Sequence, residues 1–297
     1  MNFTLGHHIQ DFLGYGRQKG HSRNTLVAYR NALRAFEQFA HAHKVTTVEG
    51  VTRALLREYA EHLSETMKPG GAHARLRPLK TFFTWLEAEE VIQKSPMTRV
   101  AMPKLPRKIL PAVGTDDMQC LLAAAQLSKN PLRDRAILAV LFDTGVRASE
   151  LCGLGLADIQ PGGRLEVQAA KGGRSRIVPI SRVGMRHLTR YIQSERPQSR
   201  LDTLFLTTPQ AGMTRFTVGQ LLERLCHAAN IQQYSAHCFR RGFAVNYLRN
   251  EGDVFTLQRI MGHATLEMTN RYAVLVTEDL KDVHRRASPL STLSKGR

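Results

Sequence analysis

Apolar positions along this chain recur at intervals of three and four over most of its length, and they alternate with polar ones in one short region. In "SRNTLVAYRNALRAFEQFA", Ser22 stands where a helix cap belongs, and Leu26, Tyr29, Leu33, Phe36 and Phe39 form one stripe with Arg23, Arg30 and Arg34 interleaved. The segment "ARLRPLKTFFTWLEAE" sets Leu79, Phe82 and Leu86 on one face, and Pro78 predicts a kink or a helix start there. "DRAILAVLFDTG" reads as a strongly apolar helix ending near Gly145, after which "RASELCGLGLADI" restarts a helix at once. In "RLEVQAAKGGRSRIVPIS" the alternation on both sides of Gly172 and Gly173 predicts a hairpin with Lys171 at its tip. Helical periodicity resumes at "TVGQLLERLCHAANI" and runs on to a basic, Ser-containing tail.

The pattern breaks once, at "MPKLPRKILP". Three prolines in ten residues cannot continue a helix or a central strand, so the segment reads as an extended linker. The expected organisation is a helical domain over residues 1–95, a basic Pro-rich linker over 96–112 and a second domain over 113–297. The fold class is mostly α with a small β-hairpin or sheet.

Charge changes this picture. The 297 residues carry 42 Lys plus Arg against 25 Asp plus Glu, a net +17, with a pI of about 10.3. A solvated surface needs no such bias, so the expected partner is a polyanion, with nucleic acid ahead of an acidic membrane face. Arg23, Arg30 and Arg34 in the first domain, and Lys104, Arg107 and Lys108 in the linker, are the expected phosphate contacts. No stretch is long and apolar enough to span a bilayer, and "MNFTLGHHIQ" lacks the layout of a signal peptide, so a cytoplasmic protein is expected. Cys120, Cys152, Cys226 and Cys238 contain no C-x-x-C pair, which argues against a zinc ribbon or a disulfide framework and for most of them being small core residues.

The segment "SAHCFRRGFAVNYL" carries a conflict. Phe239, Phe243 and Tyr247 recur every four residues behind Ser235, a capping residue, while His237, Arg240 and Arg241 crowd the first turn on another side. A helix N-terminus is already electropositive, and an anion over that turn would remove the conflict. Elsewhere Arg147 follows the helix-ending Gly145, with Glu150 three residues on to steady it. His263 in "IMGHAT" follows a helix in which Val254, Leu257 and Ile260 face inward, and Tyr272 shares a helical face with Met268. Each of these taken alone fits a bland role: a surface ion pair, a solvated turn lysine, a capping histidine, a core tyrosine.

Their order does not. Arginine, hairpin lysine, H-x-x-R, G-H and then tyrosine resembles the tyrosine recombinase family, the phage-integrase and Xer-like enzymes. The first arginine motif is "TGVRASEL" with Arg147 and Glu150, the lysine is Lys171 in "AKGGRSRIVPI", and His237 with Arg240 forms the H-x-x-R box. His263 holds the G-H position and Tyr272 that of the nucleophile. "GHSRNTLVAYRNALRAFEQF" and "LKTFFTWLEAEEVIQKSP" are similar to that family's core-binding domain, so the resemblance covers nearly the whole chain. It departs at Arg241, where histidine is usual, and at Phe239 and Met261, where leucine is usual.

The resemblance implies a helical core-binding domain, a mainly helical catalytic domain, and cutting and rejoining of DNA through a 3′-phosphotyrosine. Arg147 and Arg240 would hold the phosphate, His237 would assist as base, His263 would hydrogen-bond the phosphate and Lys171 would protonate the leaving 5′-oxygen. Arg241 joins the expected DNA contacts. No metal, cofactor or small-molecule substrate is expected; the partner is a double-stranded recombination site, bound by a homo- or hetero-tetramer at the nucleoid. A type IB topoisomerase uses similar residues as a monomer, and a DNA-binding regulator would explain the charge without the catalytic series.

Overall fold

The computed structural model describes residues 3–105, 110–168, 175–262, 265 and 269. The chain divides into two compact units, residues 1–108 and 109–297. Among the described residues no helix is long and apolar enough to cross a membrane.

Among the described residues the first unit holds four α-helices: α1 (Leu5–Gln18), α2 (Arg23–Ala42), α3 (Arg53–Thr66) and α4 (Pro69–Ala88). Ser22 caps α2 by accepting from the Thr25 N–H, and Leu33 and Phe36 of the stripe are fully buried against Phe12, Tyr59, Phe82 and Phe83. Arg23 and Arg34 stay exposed and Arg30 is half-buried. Pro78 neither starts nor ends a helix: α4 begins nine residues earlier, at Pro69, and runs through it. Pro78 cannot donate to the carbonyl one turn back, but burial of Ala72, Leu76, Leu79, Phe82, Phe83 and Leu86 on the same helix outweighs that loss. The apolar core also reaches past residue 95. A 3₁₀ turn at Pro96–Arg99 buries Met97, and Val100 follows, so the first residues assigned to a linker pack on the helical unit instead.

The second unit opens with α5 (Thr115–Gln126), α6 (Pro131–Thr144) and the short α7 (Ala148–Gly153). Helix α6 is apolar on nearly every side because it is central: Ala136, Ile137, Leu138, Val140 and Leu141 are all buried, and α5, α8 (Arg182–Ser194) and α10 (Ala236–Arg249) pack around it. It ends at Gly145, whose φ of 61° places it in the left-handed region.

Strands β1 (Ile159–Gln160), β2 (Arg164–Val167) and β3 (Arg176–Pro179) form an antiparallel sheet in that order, with Leu165 opposite Val178 and Val167 opposite Arg176. Leu165, Val167 and Val178 face the core, as alternation predicts. The hairpin turn, residues 169–174 with Lys171, lies outside the described residues. A second small sheet, β4 (Leu206–Thr208) with β5 (Ala211–Gly212), was not expected. Its sequence signal is short, two residues of turn, Pro209 and Gln210, between strands of three and two. Helices α9 (Arg215–Ala228), α10 and α11 (Val254–Met261) follow among the described residues. Of the four cysteines only Cys226 and Cys238 are buried; Cys152 is half-buried and Cys120 exposed, and all four thiols are free.

Candidate active site

The described part of the site lies where the end of α6, the start of α7, β3, the first turn of α10 and the end of α11 meet. Arg147 is the residue before α7, in extended conformation (φ −73°, ψ 154°). Its backbone N–H and its Nη1 each donate to the Glu150 carboxylate at 2.8 Å. The expected pairing of these two residues is therefore present, but the ion pair is asymmetric: the Glu150 side chain is 2% exposed and that of Arg147 41%. Glu150 is an internal anchor and Arg147 retains an open face.

Glu150 has a second partner that the sequence reading did not single out. Arg176 of β3 donates Nη1 and Nη2 to its two carboxylate oxygens, both at 2.9 Å. Burial pushes the Glu150 carboxyl up, but hydrogen bonds from Arg176 and from the Arg147 N–H, with the charge of Arg176, overcome it and bring the group down to about 2. The signal for Arg176 lies in the strand alternation, since it is two residues before the inward-facing Val178 and so shares its side of the sheet.

Helix α10 carries the H-x-x-R pair. Phe239 and Phe243 bury the apolar face as predicted. Ser235 occupies the cap position, with its Oγ 3.3 Å from the Cys238 Sγ. The two arginines of the first turn are buried rather than displayed, Arg240 2% and Arg241 8% exposed. Arg240 donates to the Gly145 and Met261 carbonyls, both at 2.6 Å, and so ties the ends of α6 and α11 to α10. Arg241, expected among the DNA contacts, turns the other way. Its Nε donates to the Pro111 carbonyl at 2.8 Å and its Nη2 lies 3.3 Å from the Cys238 Sγ. The same side of α10 receives the incoming chain, with the Val113 N–H donating to the Cys238 carbonyl at 3.2 Å. That placement corrects the surface role: Arg241 pins the chain that enters the second unit. Backbone carbonyls thus relieve part of the electrostatic conflict that the sequence poses in this turn.

His237 stands at the surface of the same turn. Partial burial, and then the positive charges of Arg241, Arg240 and Arg147, hold its imidazole below the usual value, so it is neutral at neutral pH. Helix α11 buries Leu257, Ile260 and Met261 and ends at Gly262, whose φ is 62°. Its last carbonyls face cations at both sides, Ile260 accepting from Arg176 Nε at 2.8 Å and Met261 from Arg240, as the negative end of a helix favours.

The structure therefore brings Arg147, Glu150, His237 and Arg240 to one place, whereas Lys171, His263 and Tyr272 lie outside the described residues, as do Arg107 and Lys108. Lys104 is exposed. In sequence, His263 directly follows Gly262 and Lys171 lies between β2 and β3.

Comparison with known proteins shows the family and the fold. Residues 112–278 match the phage integrase family, and residues 9–90 match the phage integrase N-terminal SAM-like domain. The chain is 34% identical over 284 residues to tyrosine recombinase XerC 2 of Ralstonia nicotianae, covering 91% of this chain and 82% of that protein. It is 32% identical to tyrosine recombinase XerD of Proteus mirabilis, covering 92% of this chain and 89% of the relative. The fold matches that of a lambda integrase dimer bound to a COC′ core site with a TM-score of 0.76 at 19% identity, over 91% of this chain and 77% of that one. The chain belongs to the phage integrase family and is a tyrosine-type site-specific DNA recombinase.

Proposed function

We propose that Tyr272 is the nucleophile of this recombinase and that Arg147, Lys171, His237, Arg240 and His263 carry the chemistry around it. The Tyr272 hydroxyl attacks the scissile phosphorus, the P–O5′ bond breaks, and the phosphate stays on the 3′ strand as a phosphotyrosine. His237 takes the tyrosine proton, for which its neutral imidazole is suited. Lys171 gives a proton to the departing 5′-oxygen. Arg147 and Arg240 neutralise the non-bridging oxygens, a role for which preorganised guanidiniums are worth a few kcal/mol each, and His263 adds a hydrogen bond. A 5′-hydroxyl from another strand then reverses the sequence without ATP, because the bond energy is kept in the phosphotyrosine.

The single observation that carries the reading is the convergence of Arg147 and Arg240. Arg240 bonds the carbonyl of Gly145, two residues before Arg147, from a helix nearly a hundred residues away. The partner is a double-stranded recombination site, contacted further by Arg23, Arg30, Arg34, Lys104, Arg107 and Lys108. Two strand exchanges within a homo- or hetero-tetramer, in the cytoplasm at the nucleoid, complete the proposal.

Tyr272→Phe removes only a hydroxyl, so it tests the centre of this reading. Wild-type protein treated with denaturant after incubation with host DNA should retain a covalent adduct, whose sequence identifies the site. The variant should bind that duplex with unchanged affinity and form no adduct. A denaturant-resistant adduct with Tyr272→Phe would refute the assignment.

A further inference from the structure

The side chain best placed to organise this site is one that the catalytic series does not include. Arg176 uses its whole guanidinium on the protein: Nη1 and Nη2 on the two oxygens of Glu150, both at 2.9 Å, and Nε on the Ile260 carbonyl at 2.8 Å. Each Glu150 oxygen is shared with Arg147. Oε1 accepts from Arg147 Nη1 as well as Arg176 Nη1, and Oε2 accepts from the Arg147 backbone N–H as well as Arg176 Nη2. The carboxylate thus fixes both the backbone and the guanidinium of Arg147, and Arg176 fixes the carboxylate.

The other end of Arg176 holds the close of α11. Besides its bond to Ile260, its Cδ, Nε and Cζ lie 3.1, 3.2 and 3.3 Å from the point where a Cβ on Gly262 would stand. Gly262 is needed there for its positive φ, and the missing side chain also lets the guanidinium lie against the backbone. His263 is the next residue. Exposure separates the roles: the side chain of Arg176 is 16% exposed and makes bonds inward, whereas that of Arg147 is 41% exposed and has room for a ligand.

We propose that Arg176 is a positioning residue for strand cleavage, orienting Arg147 through their shared carboxylate, Glu150, while its Nε holds the last turn of α11. The proposal rests on Arg147 acting as a phosphate clamp. A buried ion pair that only stabilised the fold would look similar in geometry, so the test must read chemistry.

The rate of covalent adduct formation by full-length protein is measured on duplexes of the sequence recovered by trapping, with either a phosphate or a methylphosphonate at the scissile position. A methylphosphonate lacks one non-bridging charge, so loss of the guanidinium that serves that charge matters less on it. Arg176→Ala should cleave the phosphate duplex ~10-fold to 100-fold slower than wild type, the scale expected when a reacting group is displaced by about 1 Å. Its defect should shrink on the methylphosphonate in parallel with that of Arg147→Ala. Adding Arg176→Ala to Arg147→Ala should cause little further loss, because the side chain being oriented is gone. Arg176→Lys keeps the charge but offers one donor group in place of a fork; it should fold and show the same pattern in weaker form.

An Arg176 defect of equal size on both duplexes, with that of Arg147→Ala shrinking, would overturn the proposal and leave the clamp intact. Wild-type rates for Arg176→Lys on both duplexes would overturn it as well. An Arg147→Ala defect that does not shrink would overturn the clamp itself, and the role of Arg176 with it.

Discussion

Glu150 is a buried carboxylate whose charge is kept by two arginines, and its cost and benefit both depend on pH. Its folded value, about 2, lies below the ordinary carboxylate range near 4.5. A depressed acid stabilises the fold fully above its unfolded value, and that contribution is lost as pH falls toward the folded one, so the window here runs from about pH 4.5 to 2. A shift of this size corresponds to roughly 3 kcal/mol. Chemical denaturation of the wild type should show stability falling through that window. Glu150→Gln should be less stable at neutral pH by about 3–5 kcal/mol, because Arg176 is left without its charge partner, and it should lose less on acidification. At this scale the sequence conveyed the pairing of Arg147 with Glu150 but not its third member. Spacing of three residues makes a local ion pair legible; Arg176 reaches Glu150 across 26 positions, a distance that only folding closes. The burial of Arg240 and Arg241 was illegible for the same reason, since their acceptors are backbone carbonyls far along the chain.

Elements were legible where periodicity is long and failed where tertiary packing decides. The stripes of α2 and α10 and the hairpin alternation predicted their buried faces, and Gly145 predicted the end of α6. The helix start offered at Pro78 does not occur there, because a missing hydrogen bond is a local cost, while the six other buried residues of α4 act together. Proline content marks a linker from residue 96, yet Met97 and Val100 are apolar enough to join the first core. On the far side of the linker, α10 receives the chain through Arg241 with Pro111, Cys238 with Val113, and the Asn246 side chain, whose Nδ2 lies 3.4 Å from the Val113 carbonyl. Arg241→Ala removes the charged one of these ties, a hydrogen bond worth about 1.5–3 kcal/mol. Its expected result is a lower unfolding temperature and faster limited proteolysis between residues 105 and 113. An unchanged cleavage rate there would mean that the backbone bond from Val113 holds the segment without the arginine.

The whole molecule is a pair of apolar cores carrying a net charge of +17, and its function was legible because chemistry-bearing residues occur in a fixed order, which no single residue type conveys. The described site concentrates that charge, with the guanidiniums of Arg147 and Arg176 on the carboxylate of Glu150 and that of Arg240 held by the Gly145 and Met261 carbonyls. Such a surplus does not wait for DNA. If Arg147 clamps the scissile phosphate as proposed, a small polyvalent oxyanion should compete for the same place and by mass action stabilise the folded state; at a hundred times its dissociation constant the gain is about 2.7 kcal/mol. Pyrophosphate should therefore raise the unfolding temperature of the wild type more than chloride at equal ionic strength, and Arg147→Ala should abolish most of the difference. Equal effects of the two salts would indicate ordinary screening. The consequence reaches the bench: with such a clamp, apparent affinity for a recombination site should vary with the identity of the buffer anion, and enzyme handled in phosphate should bind DNA more weakly than the same enzyme handled in chloride.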